Sequence, residues 1–214
     1  MRKYLILFLV LNTTSLYALF GGLGINFLQD QFKIPEKKNE IFAGTGLGFN
    51  TTAVENPIGV GVFVYLTAIP KIDLEGGYSF SFGEYKYSYA GQEEIPFAIA
   101  KGTWHASLQY PFFSPPTFRM YMGLGANGTQ WISVVDVNTL TELNDKGIDL
   151  NNEDELLDAL LQDVSGYHIE LGARFKPPVI PYSFNFNARY NFVKDFYTDI
   201  DNYLTLSMGL AFAI

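Results

Sequence analysis

A strict period of two near the C-terminus limits this chain more than any other feature. Leu204, Leu206, Met208, Leu210, Phe212 and Ile214 share one face, and Tyr203, Thr205, Ser207, Gly209, Ala211 and Ala213 share the other. Only an extended strand separates alternate residues in this way, so the segment is a β-strand with one aliphatic and one small or polar face. The pattern recurs upstream. Phe184, Phe186, Ala188, Tyr190 and Phe192 oppose Ser183, Asn185, Asn187, Arg189 and Asn191. Tyr167, Ile169, Leu171, Ala173 and Phe175 oppose His168, Glu170, Gly172, Arg174 and Lys176. Phe118, Met120, Met122, Leu124 and Ala126 oppose Arg119, Tyr121, Gly123, Gly125 and Asn127, and Ile72, Leu74, Tyr78, Phe80 and Phe82 oppose Asp73, Glu75, Gly77, Ser79 and Ser81. Ile58 to Thr67 and Phe97 to Tyr110 follow less cleanly.

The charges decide which face is inside. A water-soluble barrel turns its polar face outward, and here that would force many Phe, Tyr, Leu and Met side chains into a lumen too narrow to hold them. The reverse arrangement places the large apolar residues against lipid and leaves Asp73, Glu75, Lys101, His105, Arg119, Glu170, Arg174 and Arg189 as a polar network in the lumen. An arginine turned toward the bilayer midplane costs about 2–4 kcal/mol, and a one-residue slip turns several polar groups outward together. The expected fold is all-β, a transmembrane antiparallel up-and-down barrel of about eight strands, closed because an open edge in hydrocarbon leaves backbone groups unpaired.

The connections alternate in kind. Short proline-marked links fall at Ala68 to Lys71, Pro111 to Thr117 and Lys176 to Pro181, and longer polar stretches at Gly83 to Pro96, Ser133 to Val164 and Lys194 to Asp201. Short periplasmic turns and long outer loops are expected of a barrel whose termini share the periplasmic side. Seven strands can be counted back to Ile58, so an even number needs one more. Leu19 to Phe27 is preferred, with Gln29 to Pro57 as a long first outer loop; Ile41 to Asn50 is the alternative, or an extension of the sheet above the membrane. The longest outer loop holds the one helical signal, with Asn152 as cap, Glu155 as its capping-box partner, and Leu156, Leu157, Leu160 and Leu161 as a stripe. The stripe packs on the barrel's own rim or serves as a contact surface.

Residues 1–18 read as a signal peptide and residues 19–214 as the barrel domain. Met1-Arg2-Lys3 is a positive n-region and Tyr4 to Leu11 an apolar h-region, too short to span a bilayer as a helix. Ser15-Leu16-Tyr17-Ala18 places cleavage after Ala18, with cleavage after Ser15 as the alternative. The chain has no cysteine, which excludes disulfides and lipidation at an N-terminal cysteine. The formal charge is −8, and loss of Arg2 and Lys3 takes it to −10 by the same count, a poor match for nucleic acid.

Several phrases together resemble the OmpA/OmpX-type family of outer-membrane barrel domains. They are Ile69-Pro70-Lys71 before Asp73-Leu74-Glu75-Gly76-Gly77-Tyr78, Tyr121-Met122-Gly123-Leu124-Gly125-Ala126, and Asn187-Ala188-Arg189-Tyr190-Asn191-Phe192 ahead of an amphipathic last strand. The resemblance implies an outer-membrane location in a Gram-negative bacterium, export by a cleaved signal, and insertion by the barrel-assembly machinery through Phe212 and Ile214 at the C-terminus. It implies outer-membrane lipids and lipopolysaccharide as surroundings, and no peptidoglycan-binding domain is expected.

Chemistry is sparse. His105 and Ser107 share a face with the spacing of the dyad in outer-membrane lipid A deacylases, with Glu75 or Glu170 available to orient the ring. Trp104, Ala106 and Leu108 take the lipid side, so the pair points into the lumen, and the expectation is a polar contact in a protein that is not an enzyme. Asp136, Asp145, Asp149, Glu153, Asp154, Glu155, Asp158 and Asp163 make an outer loop acidic without the spacing of a calcium loop, and two histidines without cysteine do not make a transition-metal site. No cofactor or metal is expected. The function expected is structural or surface-interacting; the alternative is a narrow channel or carrier for small or apolar molecules, resembling the OmpW type, and a lipid-modifying enzyme ranks third.

Overall fold

The computed structural model describes residues 21–40, 48–69, 72–89, 95–132, 143, 145–148, 152–197 and 200–213. In chain order the elements are β1 (Gly21–Gln31), β2 (Lys33–Ile34), β3 (Lys37–Glu40), β4 (Gly48–Thr51), β5 (Val54–Glu55), β6 (Ile58–Ile69), β7 (Ile72–Tyr89), β8 (Ile95–Phe113), β9 (Phe118–Ile132), α1 (Glu153–Leu160), β10 (Leu161–Phe175), β11 (Tyr182–Tyr197) and β12 (Ile200–Ala213). Strands β1 and β6 to β12 close into an eight-stranded antiparallel barrel in which each strand pairs with its neighbour in this order, and β1 meets β12 to complete the ring. Leu23 pairs with Phe212 at that seam, so the first and last strands present their apolar sides together. The first strand is the glycine-rich one that begins near the expected cleavage site. The expected signal peptide and the end residue Ile214 lie outside the described residues.

The exposed side of the wall is a continuous apolar belt that includes Leu23, Ile25 and Phe27 on β1, Leu124 on β9, Ile169 and Leu171 on β10, and Met208 and Leu210 on β12. Aromatic residues gather at its edges: Tyr110, Phe112, Phe175, Tyr182 and Phe212 near the short turns, and Phe80, Phe82, Trp104 and Tyr167 at the other end. On β7 the belt runs from Ile72 to Phe82; some ten residues at about 3.3 Å each, tilted by about 40°, give roughly 25 Å, the height of an outer-membrane hydrocarbon layer. A surface of this kind faces lipid.

Above the belt the strands go on and their two faces exchange character. On β7 the outward positions change from Phe80 and Phe82 to Glu84 and Lys86, and the inward ones from Ser79 and Ser81 to Tyr85. Likewise Lys194 follows Phe192 outside β11 while Val193 follows Asn191 inside, and Trp131 follows Thr129 inside β9. The rim beyond the belt, at the end away from the short turns, therefore encloses an aromatic core of Ile34, Val54, Tyr85, Ile99, Trp131, Val193, Phe196, Tyr197 and Tyr203, with Phe32, Val164 and Ile200 packed against it. The two-stranded sheet β2–β5 lies across this core, directing Ile34 and Val54 inward, with Lys33 and Glu55 ion-paired at its surface. The neighbouring Glu55 carboxylate raises the Lys33 ammonium above its ordinary value.

Three loop expectations are thereby corrected. Gly83 to Pro96 is not a loop throughout, because β7 extends to Tyr89 and β8 starts at Ile95; in Lys194 to Asp201 the described residues are strand, since β11 extends to Tyr197 and β12 starts at Ile200; and β10 already starts at Leu161. Polar outward residues on these stretches read as loop by composition, whereas hydrogen bonding and the inward apolar set extend the sheet. Within Gln29 to Pro57 the described residues likewise include strands: β4 pairs with β7 through Phe49 and Tyr89, occupying above the membrane the edge that β6 leaves at Ile58. Pro111 to Phe113 also belongs to a strand, with a register shift against β9. In α1 the side chain of Asn152 donates to Glu155 Oε1 at 3.1 Å and receives the Glu155 N–H at 3.5 Å, and Leu160 is buried; Leu161 has left the stripe for β10.

Replacing Met208, midway along the belt on β12, by arginine is expected to destabilise the folded barrel by about 2–4 kcal/mol. Urea unfolding in lipid vesicles, followed by the gel shift between folded and unfolded forms, reads it; an unchanged midpoint would remove this face from lipid.

Candidate functional site: the charged lumen

Charge that cannot face lipid gathers inside, and the barrel wall brings it together from every side. Near the short turns Asp73 of β7 lies 3.0 Å from Arg119 Nη2 and 3.4 Å from Arg174 Nη1. Arg119 and Arg174 are direct cross-strand partners, a repulsive juxtaposition that Asp73 between them offsets. The Arg174 guanidinium stacks 3.5 Å from the Tyr65 ring centre and lies 5.5 Å from that of Tyr121, and its Nε donates to Asn185 Oδ1 at 2.8 Å. Glycine makes room for these rings: a Cβ at Gly172 would strike the Tyr121 ring, and one at Gly22 the Tyr65 ring.

One layer further in, Arg189 joins two acids, with Nη2 3.1 Å from Glu170 Oε2 and 3.4 Å from Glu75 Oε1. Glu170 also accepts from Gln109 Nε2 and Asn187 Nδ2, each at 2.9 Å, and Arg174 Nη2 sits 3.5 Å from Glu75 Oε2. The upper layer is a relay of neutral groups. Asn127 donates to Asn191, Asn191 to Thr205, and Thr205 to Asp30 at 2.7 Å. Asp30 also accepts from Ser81 and pairs at 2.7 Å with Lys101, whose ammonium lies 4.2 Å from the Tyr203 ring centre beneath the aromatic core.

All eight residues expected in the lumen point into it. The structure brings seven of them into one connected set, Asp73, Glu75, His105, Arg119, Glu170, Arg174 and Arg189, and places Lys101 in the separate upper pair with Asp30. Sequence reasoning missed Asp30 by assigning it to the first outer loop, although it continues the inward phase of Gly24 and Asn26. The His105 and Ser107 pairing also changes partner: Ser107 Oγ is 2.8 Å from His168 Nε2, whereas His105 Nε2 faces Glu75 Oε1 at 3.6 Å. Strands β8 and β10, on either side of β9, bring His168 near His105 with ring centres 6.3 Å apart, a proximity that spacing along one strand does not reveal.

The cavity lined by Glu75, Tyr121 and Asn187 measures about 10 Å³, and the large grooves at the surface are lined by belt residues such as Leu108, Leu124 and Leu171. Among the described residues no three His, Cys, Asp or Glu side chains converge as metal ligands. Of the acidic loop positions, Asp136 and Asp149 lie outside the described residues.

Lys101→Met alone is expected to cost about 3–5 kcal/mol, because it leaves Asp30 as an uncompensated buried charge. Lys101→Met combined with Asp30→Leu should recover most of that loss. Urea midpoints of the single and double variants measure both, and a double variant no better than the single would show that the pair's hydrogen bonds to Ser81 and Thr205 dominate instead.

Comparison with solved structures follows this geometry. The attachment invasion locus protein Ail of Yersinia pestis, in complex with the heparin analogue sucrose octasulfate, aligns with a TM-score of 0.50 at 11% identity, covering 91% of this chain and 97% of that one. The outer membrane protein OprG of Pseudomonas aeruginosa aligns at 0.50 with 15% identity over 92% and 94% of the two chains. Neisserial surface protein A aligns at 0.51 with 12% identity over 91% and 97%. No protein-family model matches the sequence, and no curated protein matches it. What the likeness establishes is the fold: this chain is built as a small eight-stranded barrel of the kind these outer-membrane proteins share.

Proposed function

We propose that this chain is an integral barrel of a Gram-negative outer membrane, exported by a cleaved signal, with a closed lumen and a structural or surface-interaction role. The observation that carries the reading is the stacked closure of the lumen: the Asp73–Arg119–Arg174 layer, the Glu75–Arg189–Glu170 layer, the Asp30–Lys101 pair and the aromatic core succeed one another along the axis. Paired charge and packed rings fill the space that a conduction path needs. What remains available to a partner is the outer surface, above all the raised sheet β3-β4-β7-β8 that stands beyond the belt.

On this reading the lumen charges hold the walls together. The Ser107–His168 pair belongs to that packing and performs no hydrolysis, since acyl chains outside the wall cannot reach it. Lipopolysaccharide surrounds the belt, and the barrel-assembly machinery takes up the last strand through Phe212 and Ile214. The name of Ail, the attachment invasion locus protein, and the raised sheet beyond the belt both favour surface contact over transport.

Purified, refolded barrel in planar bilayers is expected to remain silent at several voltages. Discrete, stable conductance steps would replace this reading with the narrow-channel alternative. A lipid A profile that changes on deletion of the gene and is not restored by a His168→Asn form would instead establish a lipid-modifying activity.

A further inference from the structure

The apolar surface does not stop where the belt does. At the end of the short turns aromatic rings follow one another from β8 to β12. Phe113 meets Phe118 edge-on with ring centres 6.3 Å apart, Phe118 is the direct cross-strand partner of Phe175, and Phe175 stacks on Phe184 at 6.4 Å. Tyr182 and Phe212 continue the collar at 5.8 Å. Two proline-marked segments hang from it: Phe112 to Thr117, which leads from β8 into β9, and Lys176 to Pro181, which leads from β10 into β11. Val179 is 93% exposed, and Ile180, Phe112 and Phe113 are exposed beside it in sequence or on the neighbouring segment. No charged residue lies in Phe112 to Thr117 or in Pro177 to Pro181. Apolar residues exposed singly are ordinary, whereas a contiguous set joined to a lipid-facing belt marks a contact surface.

We infer that these two segments, with Val179 at the tip, form an interfacial anchor that docks in the phospholipid layer at the short-turn end, where headgroups meet acyl chains. The inference rests on the reading of the belt as lipid-facing and carries that contact past the ends of the strands. The opposite end of the barrel supplies the contrast. There the outward positions turn charged as soon as the belt ends, with Glu84 and Lys86 after Phe82 and Lys194 after Phe192. A wall that enters water carries charge on its outer face, and at the short-turn end the apolar residues run on through the turn instead.

Height and backbone chemistry agree with this partner. Val179 is four residues past Phe175 and three before Tyr182, so at about 3.3 Å per residue and a tilt of about 40° it stands at most about 10 Å beyond the collar. That is comparable with a headgroup layer of roughly 5–8 Å on each side of the hydrocarbon. Pro177, Pro178 and Pro181 have no N–H to leave unpaired in a region poor in water. Lys176 donates its N–H to the Thr117 carbonyl at 2.8 Å, and the Pro181 carbonyl accepts from Ala213 at 2.7 Å, so both ends of the segment are tied to the neighbouring strands. A soluble protein and a second copy of this chain are the other candidates. Neither finds a charged group here to fix its orientation, and a lipid layer requires none.

The chain has no cysteine, so single labels report without background. Val179→Cys, Met208→Cys in mid-belt and Lys194→Cys beyond the belt, each carrying an environment-sensitive fluorophore, are folded into phosphatidylcholine vesicles with and without a lipid that bears a nitroxide quencher near the top of its acyl chain. Such a quencher acts from both leaflets, so the direction of insertion does not matter. The label at Val179 is expected to be quenched several-fold more strongly than the one at Lys194 and at least as strongly as the one at Met208. Quenching no stronger than at Lys194 would overturn the inference and leave the turns in water, open to a soluble partner. A signal at Val179 that changes when the protein is diluted in lipid would also overturn it and assign the surface to a second copy. An unquenched label at Met208 is a separate result, because it removes the lipid-facing belt itself. The gel shift between folded and unfolded forms shows that each variant is folded before it is read, and Ile180→Cys reports on the same tip should Val179→Cys fail to fold.

Discussion

Hydrocarbon outside the wall is the condition on which this structure depends. Bulk water solvates an unpaired arginine at little cost, whereas lipid does not, so every ionised group within the belt must meet its counter-charge across a narrow lumen. That requirement selects the strand register, because Arg174 reaches Asp73 and Glu75 only if both strands keep their phase. It also selects glycine at Gly172 and Gly22, where the directly paired residue of the neighbouring strand lays a tyrosine ring into the space a Cβ would fill. The packing of the lumen follows from the same cause: groups that must touch in order to be neutralised draw together across the space between the walls.

Once the strands pass the headgroups the condition reverses. Water now surrounds the wall, and the same alternation serves to build an ordinary core, with Tyr85, Trp131 and Phe196 inside and Glu84, Lys86 and Lys194 outside. Lys101 marks the boundary. Its ammonium pairs with Asp30 on the charged side and rests against the Tyr203 ring on the aromatic side, so one residue joins two kinds of interior. The lid strands β2 and β5 finish the upper core with Ile34 and Val54 and need no contact with the membrane.

The barrel was legible in the sequence because its strongest signal, period two with all large aliphatics on one face, has a single physical explanation in a chain with charges of both signs on the other. The inward direction of Asp73, Glu75, Arg119, Glu170, Arg174 and Arg189 follows from that phase alone. What each one touches does not, since Arg174 and Asp73 are brought together by closure of the ring and not by any spacing along the chain. The aromatic core was hidden for a related reason: its inward residues sit between outward polar ones, and composition without a change of sign reads such a stretch as loop. Continuing the phase count past Phe82 recovers Tyr85, and continuing it past Asn26 recovers Asp30. His168 stayed unassigned because its bond to Ser107 crosses strands.

The exchange of faces along β7 means that one strand obeys two substitution rules. At the height of Ser79 an inward serine is at home and an inward leucine would strand polar neighbours without partners. Three turns of the pleat higher, at Tyr85, the preferences are opposite, and an inward serine would hollow out the rim. Tolerance to change in this protein is thus a function of depth as much as of burial, and a variant sequence carries a record of where the bilayer surface lies.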